Sequence, residues 1–231
     1  MRRLFAGTAA ALLAAVLLIP VRCRALSAKS AAVMDCVSGR LLLDQNSGRQ
    51  SLIASTTKIM TALLICEHCN VLDQMQIPRQ AVGIEGSSMY LKEGERLSIQ
   101  ELLYGLMLSS GNDAAVALAL YCCGSIGEFA NLMNDKARSL GMTQTHFENP
   151  NGLDSKNHYS TAGDLAILAA YAMENTIFSK TVSTKTVTIG NRVLRNHNKL
   201  LWLYPGADGV KTGYTKAAGR ILVSRATQNR R

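Results

Sequence analysis

The spacing of apolar and polar positions divides the chain into three stretches. Around 31–54 the pattern is strand-like. Ala32-Val33-Met34 and Leu41-Leu42-Leu43 flank a turn at Ser38-Gly39, and Ser51-Leu52-Ile53-Ala54 follows. From 55 to 174 the pattern lengthens to that of helices. Met60, Leu63 and Leu64 give an apolar face to a helix from about Ser55 to Cys69. Residues 71–96, with glycines at 83, 86 and 94, read as loops and short strands. Ser98 and Glu101 have capping-box spacing ahead of Leu102, Leu103 and Leu106, which predicts a helix start. The chain breaks at Ser109-Ser110-Gly111-Asn112, and a further helix takes up Ala114 to Tyr121. Ser125 and Glu128 repeat the capping box and open a helix that ends near Gly141; another runs from about Ala162 to Glu174. Beyond 174 the pattern returns to strands. Thr186-Val187-Thr188-Ile189 and Arg192-Val193-Leu194 form a hairpin about Gly190-Asn191, and Ala207 to Thr215 and Arg220 to Ala226 are two more strands. Strands at both ends with helices between predict an α/β or α+β fold whose terminal strands share one antiparallel sheet.

A segment of another kind precedes this pattern. Arg2 and Arg3 lead an apolar run from Leu4 to Ile19 that Pro20 ends, and Cys23 and Ala25 are small residues suitably placed for a cut after Ala25. Residues 1–25 are therefore read as a secretory signal peptide, and 26–231 as one exported, extracytoplasmic domain. The run is short for a membrane-spanning helix, and Arg22 argues against a lipoprotein cysteine at Cys23. At 48% apolar residues the chain can build a sizeable core. Cleavage removes four arginines and no acids, so the net charge falls from +9 to +5. That charge suits an anionic wall or membrane surface. No Lys/Arg block is interleaved with aromatics, which together with export argues against nucleic acid as a partner.

Cys36, Cys66, Cys69, Cys122 and Cys123 remain after cleavage, an odd number unlike a disulfide framework. Cys66-Glu67-His68-Cys69 has no second pair at zinc spacing and falls in an apolar helical stretch, so it reads as core; Cys122-Cys123 reads as ordinary packing. His68, His146, His158 and His197 show no ligand spacing, and Trp202 and Tyr204 are expected to pack near the loop before residue 211.

Three short motifs stand in order: Ser55-Thr56-Thr57-Lys58, Ser110-Gly111-Asn112 and Lys211-Thr212-Gly213. Singly they are a helix N-cap, a polar inter-helix turn and an exposed strand end; their conjunction in this order points to acyl transfer. A serine hydroxyl is a poor nucleophile at neutral pH and needs a base nearby. Ser55 and Lys58, three apart on a helix, share one face. Burial beside another cation such as Lys211 would lower the pKa of Lys58 and let it take the proton. The helix N-terminus favours negative charge developing at Ser55. Ser110 can relay a proton, and Asn112 can hold a substrate backbone. Lys211 and Thr212 can receive a carboxylate, and Gly213 lets a substrate approach its strand closely. The backbone N–H groups of Ser55 and Tyr214 are the candidate oxyanion hole.

The chain resembles the low-molecular-mass penicillin-binding proteins that act as D-alanyl-D-alanine carboxypeptidases (peptidase family S11 type). The likeness covers roughly residues 30–226. It lies in Ala54-Ser55-Thr56-Thr57-Lys58-Ile59-Met60, Glu85-Gly86-Ser87-Ser88-Met89-Tyr90-Leu91 and Leu108-Ser109-Ser110-Gly111-Asn112-Asp113-Ala114-Ala115. It continues in Asn149-Pro150-Asn151-Gly152-Leu153 with His158, Ser160-Thr161-Ala162 and Asp164, and in Asp208 to Thr215 with Ala218-Gly219-Arg220. The resemblance implies a β-lactamase/transpeptidase-like fold. It also implies acylation of Ser55 by the penultimate D-alanine of peptidoglycan stem peptides and release of the terminal D-alanine. Lys58 would be the base, Ser110 the relay and Asn112 an orienting group, with Lys211 and Thr212 on the terminal carboxylate. β-Lactam antibiotics would acylate Ser55 as substrate mimics. No metal or organic cofactor is implied.

Family members continue past the point where this chain ends, at Gln228-Asn229-Arg230-Arg231, with another core strand and a C-terminal helix. Many add a β-rich domain and an amphipathic membrane anchor. The resemblance therefore implies a C-terminally truncated product, with Ile221-Leu222-Val223 as an apolar edge, and peripheral association with a membrane for which this chain carries no anchor. Two other readings share the motifs. A serine β-lactamase needs a glutamate to activate the deacylating water. Glu148 lies at a suggestive distance, but its surroundings and Gly111 follow the carboxypeptidase pattern. A non-catalytic peptidoglycan-binding protein is the other, and endopeptidase action on cross-links is a variant of the main reading.

Overall fold

The apolar stretch after Ser55 forms the centre of the molecule. In the computed structural model, which describes residues 27–227, Ala54–Thr57 makes one 3-10 turn and runs directly into helix α1 (Lys58–His68). The predicted signal peptide and the last four residues lie outside the described residues. Every residue from Lys58 to Ile65 is buried, so the one-faced helix expected from Met60, Leu63 and Leu64 is instead enclosed on all sides. Around it pack α2 (Ile99–Leu108), α3 (Asn112–Cys123), α4 (Ile126–Ser139), α5 (Ala162–Ala172) and α6 (Thr176–Ser183). Phe129, Phe147 and Phe178 are among the largest fully buried side chains of this core.

Caps set where these helices begin. Ser98 Oγ accepts from Glu101 N at 3.2 Å while Ser98 N donates to Glu101 Oε2 at 2.7 Å, the full reciprocal box ahead of α2. Ahead of α4 the described contacts hold only the Ser125 half, Glu128 N donating to Ser125 Oγ at 3.1 Å. Thr161 caps α5 by accepting from Asp164 N at 3.0 Å, and α5 ends at Ala172, just short of Glu174. Helix α6 is absent from the sequence reading. Its buried Phe178 and Val182 lie four apart among Thr176, Ser179, Lys180 and Thr181, too sparse an apolar signal to declare a helix. Asn175 starts it, accepting from Ile177 N and Phe178 N.

The hairpins fall where predicted: β1 (Ala31–Met34) with β2 (Leu41–Gln45), β5 (Thr186–Ile189) with β6 (Arg192–Arg195), and β7 (Ala207–Thr215) with β8 (Gly219–Ala226). A small pair, β3 (Gln74–Gln76) with β4 (Arg96–Ser98), leads into α2. All are antiparallel. The terminal hairpins differ from expectation. Strands β1 and β8 both lean on α5, yet among the described residues no ladder hydrogen bonds join β1–β2 to β7–β8. Each hairpin pairs within itself through a short turn, and that local pairing is what a sequence pattern can specify. Strand β8 alternates half-buried and exposed residues, with Val223 on the core and Leu222 outward.

This arrangement brings three distant segments together. Strand β7 crosses the Ala54–Thr57 turn and also packs on α6 and on the short helix α7 (Leu200–Leu203), while the α2–α3 loop carries residues 109–111 to the same place. Because α2 delivers that loop, its capping box is worth testing. Ser98→Ala is expected to lower stability by about 1 kcal/mol, read as a lower urea midpoint at unchanged slope.

Candidate active site

Lys58 is the first residue of α1, and its side chain is fully buried. Its Nζ lies 2.9 Å from Ser55 Oγ, 2.7 Å from Asn112 Oδ1 and 2.6 Å from the Asn151 carbonyl oxygen. The rotamer of Asn112 is set by its other end, where Nδ2 donates to the Glu85 carbonyl at 2.5 Å. Burial pushes the Lys58 pKa well below the ordinary lysine range; the Lys211 charge pushes it further down, and Asp113 opposes in part. In the neutral amine two N–H groups serve the two carbonyl-type oxygens, which can only accept. The lone pair is then left for the hydroxyl of Ser55.

Ser110, in the α2–α3 loop, sits at φ 60°, a left-handed conformation that costs a non-glycine residue energy. Its Oγ accepts from Lys211 Nζ at 3.1 Å, and the same ammonium donates to the Thr212 carbonyl at 2.9 Å. Lys211 is also buried, and burial brings its pKa down to about 7. A cleft of about 460 Å³ opens here, lined by Ser55, Ser110, Thr212, Gly213 and Tyr214 together with Ser87, His197, Arg220 and Ile221. Gly213 makes the crossing possible: a β-carbon there would stand 3.1 Å from Ser55 N and 3.2 Å from Thr56 N. All the predicted site residues are thus brought together, with Lys58, Asn112 and Lys211 behind the residues that line the cleft.

Several groups that hold the site were not singled out by residue type and spacing. The buried Asp113 carboxylate accepts from Ser88 Oγ (2.5 Å), Met89 N (3.1 Å) and Leu91 N (3.1 Å), so it fixes the segment that brings Ser87 to the cleft. The 149–152 turn lies against the start of α1. Thr61 Oγ1 donates to the Pro150 carbonyl at 2.6 Å, and Gly152, at φ 84°, approaches so closely that a β-carbon would sit 1.9 Å from the Ala54 oxygen. His158 is 1% exposed. Its Nδ1 accepts from Glu148 N at 3.0 Å, so Nε2 carries the proton and donates to Thr57 Oγ1 at 2.7 Å. Burial lowers its pKa to about 4, which keeps the ring neutral. The signal for this pair was Thr57 itself, inside the first motif. Glu148 turns to Ser155 and Asn157 and does not line the cleft, which removes the support for a deacylating glutamate at this position.

A second hollow, of about 860 Å³, adjoins the cleft through His197, which walls both. Trp202 lines it beneath the Lys185 and Arg195 cations, 5.9 and 5.1 Å from the ring centroid. Trp202 and Tyr204 remain 39% and 50% exposed, more open than the packing role expected of them.

The profile of the peptidase S11 family, D-alanyl-D-alanine carboxypeptidase, matches residues 19–231. D-alanyl-D-alanine carboxypeptidase DacF of Bacillus subtilis is 39% identical over 209 residues, 86% of this chain and 54% of DacF. DacD of Escherichia coli is 36% identical over 212 residues, 86% of this chain and 55% of DacD. The chain therefore spans about half the length of these curated relatives. The crystal structure of the Streptomyces K15 DD-transpeptidase superposes with a TM-score of 0.84 at 32% identity, covering 89% of this chain and 87% of that one.

His158 predicts a pH dependence of stability. Its folded pKa lies below its unfolded value, so its contribution is complete above about pH 6.5 and is lost as pH falls through about 4. The loss across that window is of order 3 kcal/mol. Chemical denaturation between these pH values checks it, and His158→Gln is expected to flatten this part of the profile.

Proposed function

The chain belongs to the D-alanyl-D-alanine carboxypeptidase family, and on that premise we propose that it is a serine hydrolase acting outside the cytoplasm. It removes the terminal D-alanine from peptidoglycan stem peptides through an acyl-enzyme on Ser55. The observation that carries this reading is the buried Lys58 amine, held by two carbonyl oxygens with Ser55 Oγ 2.9 Å away.

The substrate's terminal carboxylate sits against Lys211 and Thr212, and its penultimate carbonyl carbon faces Ser55 Oγ. Lys58 Nζ takes the Ser55 proton as Oγ attacks that carbon. Negative charge gathers on the carbonyl oxygen, between the Ser55 and Tyr214 amides, at the start of the 3-10 turn that opens α1. Ser110, held by Lys211, passes the proton from Lys58 to the departing nitrogen, and D-alanine leaves as the free amino acid. Water then gives a proton to Lys58 and attacks the ester, which restores Ser55 and frees the shortened peptide. A β-lactam enters the same way, but its leaving group stays tethered within the acyl-enzyme. Asn112, with its Oδ1 on Lys58 and its Nδ2 on the Glu85 carbonyl, holds Lys58 in place.

Two pH limbs follow. Lys58 must be neutral to accept a proton, so kcat/KM falls as acid charges it. Lys211 must be charged to hold a carboxylate, and its pKa of about 7 means that binding weakens as pH rises beyond that value. Lys211→Arg keeps its charge, so its alkaline limb is expected to move upward even though its rate at pH 7 is lower.

The direct test is covalent labelling by a fluorescent penicillin, paired with D-alanine release from a peptide ending in D-Ala-D-Ala. The expected result is labelling and release that are both abolished by Ser55→Ala, with Lys58→Met slowing acylation on the order of 10³-fold. A folded protein that binds the peptide without releasing D-alanine, unchanged by Ser55→Ala, would make it a peptidoglycan-binding protein instead. Rapid, repeated hydrolysis of penicillin would make it a β-lactamase.

A further inference from the structure

The hollow beside the cleft has no part in the reaction described above, yet its wall is firmly built. From Val193 to Lys199 the chain alternates: Leu194, Asn196 and Asn198 are buried, while Val193, Arg195, His197 and Lys199 are exposed. The buried asparagines anchor the segment. Asn196 Nδ2 donates to the carbonyls of Val182 and Thr184, each at 3.0 Å, and Asn198 Nδ2 donates to the Gly209 carbonyl at 2.7 Å. The outward row is thereby fixed between the end of α6 and strand β7, and it lines the hollow together with Trp202.

Cations gather at this wall without an anion. Lys185 and Arg195 share the Trp202 ring, and Lys199 stands beside them on the lining. Among the described residues Lys185, Arg195 and Lys199 form no ion pair. No aspartate or glutamate lines the hollow or the cleft, and Arg220 adds a further positive charge on the cleft side. Like charges held close together repel. A cluster of them on an aromatic ring, with no counter-ion, is suited to an anionic ligand that also has apolar surface.

The position of the hollow decides which part of a substrate reaches it. His197 walls both spaces, and Ser109 lines the hollow next to Ser110 in the cleft. Burial and then the Lys211 charge lower the pKa of His197, which places that ring at the Lys211 end of the cleft. In the proposed reaction this end receives the terminal carboxylate and the departing nitrogen. Besides hydrogen, the α-carbon of the leaving residue carries that nitrogen, that carboxylate and a side chain. With the first two engaged, only the side chain can extend into the hollow. The methyl group of D-alanine fills little of a space of about 860 Å³, a volume in the range that encloses a drug-sized ligand.

We propose that the hollow is the leaving-group subsite for a second, anionic stem peptide, so that the chain also cuts the D-alanyl bond that cross-links two stems. The inference rests on the serine hydrolase reading and names a further substrate for the same site. Such a stem presents an amine and a carboxylate on one carbon, as D-alanine does, with the rest of its chain in place of the methyl group. Its other carboxylates meet Lys185, Arg195 and Lys199, and its apolar parts lie on Trp202. Ser55 Oγ attacks the D-alanyl carbonyl carbon and the C–N bond breaks. The Ser55 proton passes to the nitrogen of the second stem, which departs as a free amine, and water hydrolyses the ester. One water is consumed, and one amide becomes a carboxylic acid and an amine.

The test compares two substrates of the full chain. One is a single stem ending in D-Ala-D-Ala. The other is two stems joined by a D-alanyl bond to a side-chain amine, with no free D-Ala-D-Ala end. The products are read by liquid chromatography and mass spectrometry. The expected result is D-alanine from the first and two separate stems from the second. In the double variant Lys185→Ala with Arg195→Ala, kcat/KM for the joined stems is expected to fall on the order of tenfold relative to that for D-alanine release. Arg195→Lys keeps the charge and most of the ratio, and added salt raises KM for the joined stems more than for the single one. A melting curve checks that each variant is folded. Release of D-alanine with the joined stems left intact would overturn the inference, as would cleavage whose ratio ignores both the double variant and salt. Those outcomes leave the hydrolase reading standing, whereas a folded chain that neither takes up penicillin nor releases D-alanine strikes that reading and this inference together.

Discussion

A lysine side chain buried without a carboxylate partner is the constraint on which the rest of the site depends. An isolated ammonium in a protein interior is costly to keep charged, and the usual outcome is loss of the proton. Here the partners of Lys58 are two carbonyl oxygens and one hydroxyl, not an anion at contact distance, and a second buried lysine adds its charge nearby. Two such ammonium groups cannot both remain charged in one small volume. Lys58 gives up its proton more readily because it feels both burial and Lys211. One cation and one neutral amine are what the proposed chemistry needs, the first for a carboxylate and the second for a hydroxyl proton.

The fold is arranged to keep that environment dry and fixed. Lys58 opens the helix that every other long helix packs against, so its surroundings are the centre of the core. Close backbone approaches complete the enclosure. Gly152 admits the 149–152 turn against Ala54, and Gly213 admits β7 against the amides of Ser55 and Thr56. The carbonyl oxygen of Asn151 reaches Lys58 only because that turn lies so near. His158 braces it from behind, and Asp113 holds the segment on the other side of the cleft. A chain of neutral hydrogen bonds around Lys58 thus substitutes for the counter-ion that would keep it charged.

Local signals made much of this legible in the sequence. The Ser98 box, the Gly190-Asn191 turn and the strands from Ala207 and Arg220 each depend on residues close together in the chain, and each was found where read. The three motifs named the residues that meet in the cleft because their chemistry is carried by residue type. Non-local relations were harder to read. The two terminal hairpins were expected to form one hydrogen-bonded sheet, yet meet on α5 without a shared ladder. Helix α6 hid its two core side chains among polar residues. His158 belongs to a segment that carries the family resemblance, but its spacing gives no sign that its role is to hold Thr57. A backbone carbonyl such as that of Asn151 has no sequence signature beyond the glycine that lets it come close.

The charge of Lys58 decides whether it can take the Ser55 proton. Lysine labelled at Cε with carbon-13 reports protonation directly by NMR, and Lys58→Met identifies the resonance. The proposed chemistry predicts that Lys58 loses its proton well below the ordinary lysine range and that its titration moves to higher pH when Lys211→Met removes the neighbouring cation. A Lys58 resonance that stays in the ammonium form to about pH 10, with or without Lys211, would contradict it.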